Sequence, residues 1–322
     1  MNIQRKLFVR KAICGLGTMT YMCSFLDAGK TTFIKELLEQ EYFDTGEKTL
    51  LLLCEDGDTE YEDQFCREHN VIIRWVKEEV NFTEQNIQCI EDEVQPERII
   101  VEFNGMWDSN EILSRWKKDK VLEIVIINAE SFELYLSNMK SYMTRQIRSA
   151  YMTIFRSCDG MEDKLARFRR SIRAVNPQTN FVFKNKDGEM NPRLDEDLPY
   201  DIQADFIELN DRTFGIFYID AMEYVERYVG KIVCFTGYIF KKKKSMLMIG
   251  RQAMICCMED LATFVFICDI SDADNFEYVN WVKIEGIVKK EYFEQINSEI
   301  PVIEIMLMEK CNAPNEKIIS VN

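Results

Sequence analysis

The chain has 322 residues, of which 47% are hydrophobic, so it is long enough for two domains with sizeable cores. Its formal net charge of −15 disfavours non-specific binding of nucleic acid or of an anionic membrane. No apolar run reaches the roughly 18 residues that a transmembrane helix requires, so we expect no direct membrane insertion.

The cysteine and histidine residues limit which catalytic and metal-binding sites the chain can form. The 11 cysteines are scattered and odd in number, which favours a reducing, cytoplasmic compartment over a disulfide framework. His69 is the only histidine and falls in a polar helical stretch, so a hydrolase built on a histidine base is not expected. Any metal site must depend on cysteine, aspartate and glutamate.

Residues 1–18 combine basic residues with a mildly apolar stretch that superficially resembles a secretion signal. Glycines and threonines interrupt that stretch, and cleavage at its end would cut into the phosphate-binding pattern that begins at Ser24. We therefore interpret residues 1–18 as an extension that precedes the first strand.

Short apolar runs alternate with amphipathic stretches over residues 19–186. Runs such as KTLLLLCE and RIIVEFNG are typical of strands that are buried on both faces. Stretches such as TTFIKELLEQ and LARFRRSIRAV have helical spacing instead. The alternation predicts an α/β domain with a mostly parallel sheet and helices on both faces.

The second half follows a different pattern. Residues 187–204 are polar and contain prolines, which is typical of a linker. Residues 205–315 carry short alternating runs, with EYVERYV as the one predicted helix, and indicate a small antiparallel β-barrel of the OB-like kind. Residues 316–322 are predicted to be a tail. The lysine run at 241–244 is interpreted as a solvated hairpin loop, with anion binding as the alternative.

The stretch SFLDAGKTTFIKELL matches a phosphate-binding loop that opens a helix, although serine stands where the first glycine is usual. In such loops backbone N–H groups point at phosphate, a lysine reaches the β- and γ-phosphates, and a hydroxyl binds Mg²⁺. The predicted nucleotide-binding residues are Ser24, Asp27, Ala28, Gly29, Lys30, Thr31 and Thr32. The alternative is an ordinary helix start that contains GKT by chance.

Two carboxylate-bearing segments fit the same site. Glu102 ends the strand RIIVEFNG, at the sheet edge where ligands bind in α/β proteins. We predict that Glu102 binds Mg²⁺ through water and acts in catalysis with Lys30, and that the N–H of Gly105 approaches the γ-phosphate. The alternative is a strand-end carboxylate with no ligand.

The acidic loop, residues 54–62, follows the strand KTLLLLCE. Its oxygen ligands suit Mg²⁺, to which we assign Glu55 together with Thr31 and Glu102, whereas Cys54 would favour Zn²⁺. A solvated acidic loop without a ligand is the alternative.

These segments resemble the CobW-type P-loop metallochaperone GTPases, relatives of HypB and UreG. The resemblance covers about residues 19–185 and rests on SFLDAGKTTFIKELL, LLLLCEDGDTEYED, IIVEFNGMWD, IINAESFELYL, IFRSCD and FRRSIRAVNP. It implies a P-loop fold that hydrolyses GTP with Mg²⁺ and couples the cycle to delivery of a metal, often zinc. It also implies that Asp159 and Asn176 lie near the base.

The chain departs from that family in two places. The Cys-x-Cys-Cys metal motif is absent, and only Cys66 and Cys89 lie in the corresponding region. The guanine-reading Asn-Lys-x-Asp appears as Arg156-Ser157-Cys158-Asp159. Asp159 retains its role as an acceptor for guanine, and Arg156 can donate to the O6/N7 side of the base. The preference for GTP over ATP is therefore implied by the resemblance alone.

The second half resembles the YcgQ-type bacterial domain of unknown function over about residues 205–312. The matching stretches are YVGKIVCFTGYIF, IGRQAMICCMEDLATFVFIC and WVKIEGIV. Within them, Cys256, Cys257 and Cys268 form a candidate thiolate site for Zn²⁺. The alternative is that these cysteines pack as small hydrophobic residues.

Together these features predict a slow GTPase that requires Mg²⁺ and serves metal homeostasis, with zinc as the expected cargo. The predicted partners are GTP or ATP and a metal-receiving client or permease-associated protein. Nucleic acid is not an expected partner. A non-catalytic nucleotide-binding scaffold and an ATPase without metal cargo are the alternatives.

Overall fold

A computed structural model describes most of the chain. The described residues are 19–23, 28–41, 43–44, 46–57, 59–116, 121–192, 198–243, 246–255, 261–270, 281–294 and 297–320. The predicted extension at 1–18 lies outside them. The chain divides into two compact units: the first ends at Leu165 and resumes over Gln178–Pro192, and the second consists of Ala166–Pro177 and the chain after Pro192.

One eight-stranded sheet with its helices forms the first unit, and the helix that ends at Val175 belongs to this unit only up to Leu165. In chain order the elements are β1 (Met19–Cys23), α1 (Lys30–Leu38), β2 (Thr49–Leu53), α2 (Asp63–Glu68), β3 (Val71–Trp75), α3 (Glu84–Val94), β4 (Arg98–Glu102), α4 (Ser109–Trp116), β5 (Val121–Asn128), α5 (Ala129–Asn138), α6 (Lys140–Arg148), β6 (Met152–Arg156), α7 (Glu162–Val175), β7 (Asn180–Asn185) and β8 (Gly188–Met190). The strand order is β3-β2-β4-β1-β5-β6-β7-β8. Strands β1 to β7 are parallel and β8 is antiparallel to β7, so the predicted mostly parallel sheet is confirmed.

Alternate side chains of strand β2 pack into two separate cores. Leu51 and Leu53 join the core that includes Ile34 of α1, whereas Leu50 and Leu52 join the core on the other face of the sheet. All five residues of β2 are buried. A strand that is covered on both faces has no polar face, which explains the continuous apolar run in its sequence.

The parallel arrangement decides where functional side chains meet. Because β1, β2, β4 and β6 run in the same direction, their carboxyl ends share one edge of the sheet. Glu102 is the last residue of β4, and the segments that follow the other three strands carry Lys30, Glu55 and Asp159. Ligands in open α/β sheets bind outside this edge.

A closed five-stranded barrel with extra strands forms most of the second unit. Its elements after residue 198 are β9 (Phe206–Glu208), α8 (Phe214–Glu223), β10 (Ile232–Lys243), β11 (Met246–Met254), β12 (Leu261–Asp269), β13 (Trp281–Phe293), β14 (Ser298–Lys310) and β15 (Ile318–Ser320). The order is β15-β11-β12-β14-β13-β10-β9, and pairing of β10 with β11 closes the ring. Strands β12 and β14 are parallel, and the other four pairs of the ring are antiparallel. The predicted OB-like barrel is confirmed.

Close packing inside the barrel requires a small residue on β11 and aromatic residues on α8. A Cβ at Gly250 would overlap the carbonyl of Phe264 on β12, so only glycine allows the two strands to approach this closely. Helix α8 buries Phe214 and Phe217 against Phe266 of β12. The helix thus completes the core of the barrel.

Two segments that were predicted to be irregular contain strands. The predicted linker, residues 187–204, includes β8, and the predicted tail, residues 316–322, includes β15. β15 pairs in parallel with β11, and the carbonyl of Glu316 just before it accepts a hydrogen bond from the buried side chain of Arg251. Both strands are three residues long and lie at sheet edges, and a run this short shows no alternating pattern in the sequence.

One segment that precedes the predicted boundary at residue 186 groups with the second unit. Residues 166–177 belong with the second unit, because Arg169 and Arg173 form ion pairs with Glu223 and Ala174 packs in the barrel core. A helix that contributes to two units cannot be divided by its sequence pattern, since its spacing is continuous.

Two local predictions in the second half are wrong as well. The segment EYVERYV forms a 3₁₀ turn at Val225–Arg227, and the helix lies before it, at α8. α8 is apolar around most of its surface because it is buried, so it lacks amphipathic spacing. Lys241–Lys243 form the solvent-facing end of β10 in the β10–β11 hairpin rather than its loop, and Lys244 lies outside the described residues. Within the described ranges, no helix has the length and hydropathy needed to cross a bilayer.

Candidate nucleotide-binding site

The first turn of α1 carries the lysine of the predicted phosphate loop. The helix begins at Lys30, directly after Gly29, whose backbone is left-handed with φ 73°. The Lys30 side chain is 5% exposed, and its Nζ forms an ion pair with Glu55 and donates to the Phe103 carbonyl at 3.1 Å. A buried ammonium group is thus held at the carboxyl edge of the sheet.

The remaining loop residues are placed as follows. Ser24 and Asp27 lie outside the described residues, Ala28 is buried in the core and Thr32 is exposed. The first N–H groups of a helix lack partners within it, so the first turn of α1 offers amide donors to an anion. This arrangement is what phosphate binding requires.

Glu102 accepts hydrogen bonds from both helix α1 and the acidic loop. Its Oε1 accepts a hydrogen bond from the Thr31 hydroxyl at 2.6 Å, and its Oε2 accepts one from the Tyr61 hydroxyl at 2.5 Å. Burial, followed by the charge of Glu102, raises the pKa of Tyr61 far above its usual value, so the phenol stays protonated and donates. Both oxygens of Glu102 are therefore engaged within the protein.

The acidic loop packs over this group. A Cβ built on Gly57 would lie 3.4 Å from the Thr31 hydroxyl and 4.0 Å from Glu102 Oε1. Glu55 contacts Lys30, and Tyr61 contacts Glu102. The Glu55 carboxylate is paired here with the ammonium group of Lys30, and its role as a magnesium ligand stays a prediction. Asp56, Thr59, Glu60 and Glu62 are exposed, so the alternative of a solvated acidic loop stays open.

Thr31 and Glu102 fit a magnesium ion. Mg²⁺ prefers hard oxygen ligands and is usually held by one or two protein groups together with phosphate oxygens and water. The hydroxyl and carboxylate oxygens lie side by side, buried, at the amino end of α1. The two residues can hold the ion once the acidic loop releases them.

Cys54 is buried directly after β2. Burial raises the pKa of its thiol to about 12, so in the absence of a metal ion the group is a neutral thiol. Across the part of the chain that the structure describes, no three His, Cys, Asp or Glu side chains converge in a metal-binding group. The expected preference of Cys54 for Zn²⁺ is therefore not supported.

Gly105 lies in a turn that is fixed to α6. Its carbonyl accepts a hydrogen bond from the buried side chain of Gln146, and Arg145 of the same helix pairs with Asp108 at 3.0 Å. The Asn104 side chain closes the turn by accepting the N–H of Met106 at 2.9 Å. The turn that follows Glu102 is thus held in place from α6.

At the other end of the candidate site, Arg156 contacts the phosphate loop. Its Nη1 donates to the Gly29 carbonyl at 2.8 Å and its Nη2 donates to Glu36 at 2.8 Å. Glu36 also pairs with Lys184 at the end of β7. The prediction that Arg156 donates to the O6/N7 side of a base is therefore wrong for this arrangement, because both Nη groups are directed at α1 and its preceding loop.

Asp159 lies where a base-reading carboxylate is expected. It is exposed after the carboxyl end of β6, and its Oδ2 accepts the N–H of Lys186 at 3.1 Å from the β7–β8 hairpin. Ser157, between Arg156 and Asp159, has left-handed backbone with φ 53°. The carboxylate is thereby held at the same sheet edge as Lys30.

Asn176 is not placed with Asp159. The chain enters β7 at Asn180, so Asn176 precedes the amino end of that strand, whereas Asp159 follows the carboxyl end of the parallel strand β6. Amino and carboxyl ends of parallel strands lie at opposite edges of a sheet. The predicted role of Asn176 near the base is therefore wrong.

The predicted thiolate site in the barrel is only partly described. Cys256 and Cys257 lie outside the described residues. Cys268 is fully buried in the barrel core, its thiol lies 3.7 Å from the Phe266 carbonyl, and burial raises its pKa well above the usual value. It packs as a small hydrophobic residue, as the alternative interpretation held.

Sequence reasoning missed four side chains that shape the site: Tyr61, Gln146, Glu36 and Lys184. Each contacts a predicted site residue, or the partner of one, that is distant in sequence, as Tyr61 does across 41 positions to Glu102 and Lys184 does across 148 positions to Glu36. Lys184 at a strand end gave a weak signal, because charged residues at that edge often serve a ligand.

The family comparison agrees with this geometry. Residues 18–183, more than half of the chain, match the model for the CobW/HypB/UreG nucleotide-binding domain. The chain belongs to the CobW/HypB/UreG family. Residues 184–319 match the DUF1980 C-terminal domain, so the resemblance stated for each half is confirmed. The first unit of this CobW/HypB/UreG protein is a P-loop nucleotide-binding domain.

Several solved structures are similar to this CobW/HypB/UreG member. HypB from Archaeoglobus fulgidus is 12% identical with a TM-score of 0.40, over 59% of this chain and 93% of HypB. The Zn(II)-bound YjiA GTPase from E. coli is 14% identical with a TM-score of 0.37, over 84% and 94%. HypB from Helicobacter pylori, in complex with nickel, is 11% identical with a TM-score of 0.36, over 57% and 84%. These three likenesses carry no argument about function. Comparison with curated proteins finds no match.

Proposed function

We propose that the chain binds GTP with Mg²⁺, hydrolyses it slowly and uses the cycle to deliver a metal ion to a client. One observation carries the proposal: at the amino end of α1, buried Lys30, paired with Glu55 of the acidic loop, stands next to Thr31, whose hydroxyl donates to Glu102. Membership in a nucleotide-binding family supports the same conclusion.

Each described residue has a defined role in this proposal. Lys30 neutralises charge on the β- and γ-phosphates, while the amides of the first turn of α1 bind phosphate oxygens. Thr31 holds Mg²⁺ directly and Glu102 holds it through water. Bound there, the ion supplies electrostatic stabilisation of the transferring phosphoryl group. Lys30 and Glu102 therefore act by charge and position.

In this proposal, a bound nucleotide with Mg²⁺ replaces contacts that the acidic loop makes with Lys30 and Glu102. The Glu55 carboxylate pairs with the same Nζ of Lys30 that a phosphate must reach, and Tyr61 engages the oxygen of Glu102 that faces the loop. Nucleotide with Mg²⁺ binds only when these contacts open. The conformation of the acidic loop consequently reports the nucleotide state.

Base recognition rests on Asp159. A carboxylate accepts hydrogen bonds from the N1 and N2 protons of guanine, whereas N1 of adenine carries no proton. A site that pairs one base edge loses binding energy with the base that leaves its groups unpaired. The preference for GTP over ATP follows from this carboxylate and from the family.

The metal-delivery half of the proposal follows from the family alone. Zinc as cargo and a metal-receiving or permease-associated client are carried over from the family's known role. Cys256 and Cys257, outside the described residues, are the candidate cargo ligands in the second half, and cytoplasmic location is the expected compartment.

The test measures GTP and ATP affinity by calorimetry, phosphate release, and bound metal by elemental analysis on the purified full chain. Lys30→Ala is expected to abolish nucleotide binding. Lys164→Ala, which removes a solvent-exposed partner of Glu133, is the matched control and should bind normally. Undetectable binding of both nucleotides by the natural chain would refute the proposal.

The Lys30–Glu55 ion pair favours one second candidate, a non-catalytic nucleotide-binding scaffold. A lysine that is already paired weakens the grip on nucleotide and leaves the loop as an interaction surface. Nucleotide binding without phosphate release would select this scaffold. Hydrolysis of ATP but not of GTP would select an ATPase without metal cargo.

A further inference from the structure

The barrel of the second unit has a pocket of about 230 Å³ between the β9–α8 turn and strands β10, β11 and β13. Buried Leu209, Phe214 and Phe235 form its apolar wall. Pockets for drug-sized ligands occupy roughly 300–1,000 Å³, so this pocket fits a smaller molecule. Four charged side chains also line it: Glu208, Asp211, Arg251 and Lys283.

Arg251 is the most buried of these charged side chains, with 1% of the residue exposed. Its Nη1 donates to Asp211 Oδ1 at 2.7 Å and to the Thr236 carbonyl at 3.5 Å, and its Nη2 donates to the Glu316 carbonyl. Its Nε is also buried but has no hydrogen-bond partner among the described residues. A buried N–H without an acceptor is unfavourable, so an acceptor on a ligand in the pocket would stabilise the arginine.

The turn that carries Asp211 is fixed by its own hydrogen bonds. Asn210 Oδ1 accepts the N–H groups of Arg212 at 2.9 Å and of Thr213 at 3.1 Å. In return, the Thr213 hydroxyl accepts the N–H of Asn210 at 2.9 Å. These bonds and the ion pair with Arg251 set the position of Asp211 before a ligand binds. Such preorganisation lowers the entropic cost of binding.

The charges of the pocket select the class of ligand. Arg251 pairs with Asp211, and Lys283 pairs with Glu208 at 3.3 Å, so two cations and two carboxylates line the same space. A simple anion beside Arg251 would also lie close to the Asp211 carboxylate, which repels it. A ligand that carries its own ammonium group avoids this repulsion, because the ammonium group pairs with Asp211 while an acidic group accepts from Arg251.

We propose that this pocket binds a free α-amino acid with a short apolar side chain. Its carboxylate accepts a hydrogen bond from Arg251 Nε, its ammonium group pairs with Asp211, and its side chain contacts the apolar wall. Lys283, whose side chain is 47% exposed, adds attraction for the carboxylate. The site lies within the second unit, so the proposal does not depend on nucleotide binding.

The experiment titrates the full chain at neutral pH, without nucleotide, with L-leucine, isocaproate and L-leucinamide, by calorimetry. Isocaproate has the leucine skeleton without the ammonium group, and leucinamide lacks the carboxylate. We expect L-leucine to bind with a Kd below about 1 mM and the two analogues to bind about tenfold more weakly, because each loses one charge-assisted contact. No binding of L-leucine at about 10 mM would overturn the proposal, and so would equal affinities for L-leucine and isocaproate.

Two variants separate ligand contact from support of the fold. Asp211→Asn should weaken L-leucine about tenfold yet strengthen isocaproate, because an amide no longer repels the carboxylate. Arg251→Lys removes the Nε donor and should weaken both ligands.

Asp211 is partly exposed on a turn, so its variant decides the question even if Arg251→Lys fails to fold. Lys289→Ala, which removes a partner of Glu304 on β13, is the matched control and should bind L-leucine as the natural chain does. Equal weakening of both ligands by Asp211→Asn would show that Asp211 only supports the turn, and would overturn the assignment of an amino acid.

Discussion

The two ends of the candidate nucleotide site differ in how closely they follow the family pattern. At the phosphate end, Lys30 and Thr31 stand at their required positions, and Thr31 meets Glu102 at 2.6 Å. At the base end, the asparagine is replaced by Arg156, which contacts the phosphate loop instead. Binding of phosphate and Mg²⁺ requires a lysine and a hydroxyl at fixed positions. A residue that contacts the base can instead be replaced by one that contacts the phosphate loop.

Removal of the Thr31 hydroxyl should give the largest effect and confirm which end binds the metal. Thr31→Val keeps the branched shape but removes a proposed magnesium ligand. We expect Mg²⁺-dependent GTP affinity to fall by roughly 30-fold, or about 2 kcal/mol, with little change in the absence of Mg²⁺. Titration with and without the ion measures this. Thr263→Val, on the exposed face of β12, is the matched control, and an unchanged affinity for Thr31→Val would break the comparison.

One buried cysteine lies at each end of the candidate nucleotide site, so the reactivity of the two thiols compares how readily the two ends open. Burial raises the pKa of Cys54, after β2, to about 12 and that of Cys158, after β6, to about 11. Burial favours the neutral thiol and also blocks access of the reagent, so both cysteines should be alkylated far more slowly than exposed Cys89 at pH 9. Mass spectrometry after iodoacetamide treatment measures the three rates. Alkylation of either buried thiol as fast as that of Cys89 would show that its end of the site opens freely.

Neutralising Glu55 should strengthen nucleotide binding. Glu55→Gln keeps the shape of the side chain but removes the charge that pairs with Lys30. We expect GTP affinity to rise about fivefold, or about 1 kcal/mol, because nucleotide no longer displaces an ion pair. Asp56→Asn, which affects the exposed pair with Lys77, is the control. A fall in Mg²⁺-dependent affinity would instead identify Glu55 as the magnesium ligand that its position in the sequence first indicated.

The smallest effect is expected from the Tyr61 hydroxyl. Tyr61→Phe frees one oxygen of Glu102, so the Mg²⁺ concentration for half-maximal GTP binding should fall about threefold, equivalent to ~0.6 kcal/mol. Tyr142→Phe, on α6, is the control. A higher Mg²⁺ requirement would show that the phenol holds Glu102 in the orientation that the ion needs.

Most of the architecture could be predicted, because each signal was local. Continuous apolar runs identified the buried strands of the first sheet, and alternating runs identified the barrel strands. The helix α8 was missed because burial on most of its surface removes amphipathic spacing, and β8 and β15 were missed because three-residue edge strands carry no pattern.

Site residues that belong to a sequence motif could be predicted. Contacts between residues that are far apart in the sequence could not. Lys30, Thr31 and Glu102 came from the loop pattern and from a strand end. The contact of Arg156 with Gly29 spans 127 positions, and no spacing rule connects them. Asn176 was misplaced because a motif alone does not say at which edge of the sheet a residue lies.

The placement of β15 has a practical consequence for any shortened version of the protein. A recombinant fragment that ends at residue 315, the domain end predicted from the sequence, lacks β15. The edge of β11 then exposes unpaired backbone N–H and C=O groups, which favour association with another chain. The fragment also lacks the Glu316 carbonyl, which accepts a hydrogen bond from the Arg251 guanidinium. Arg251 is 1% exposed, so its buried charge would lose one hydrogen-bond acceptor. Expression trials should therefore retain the chain through Ser320.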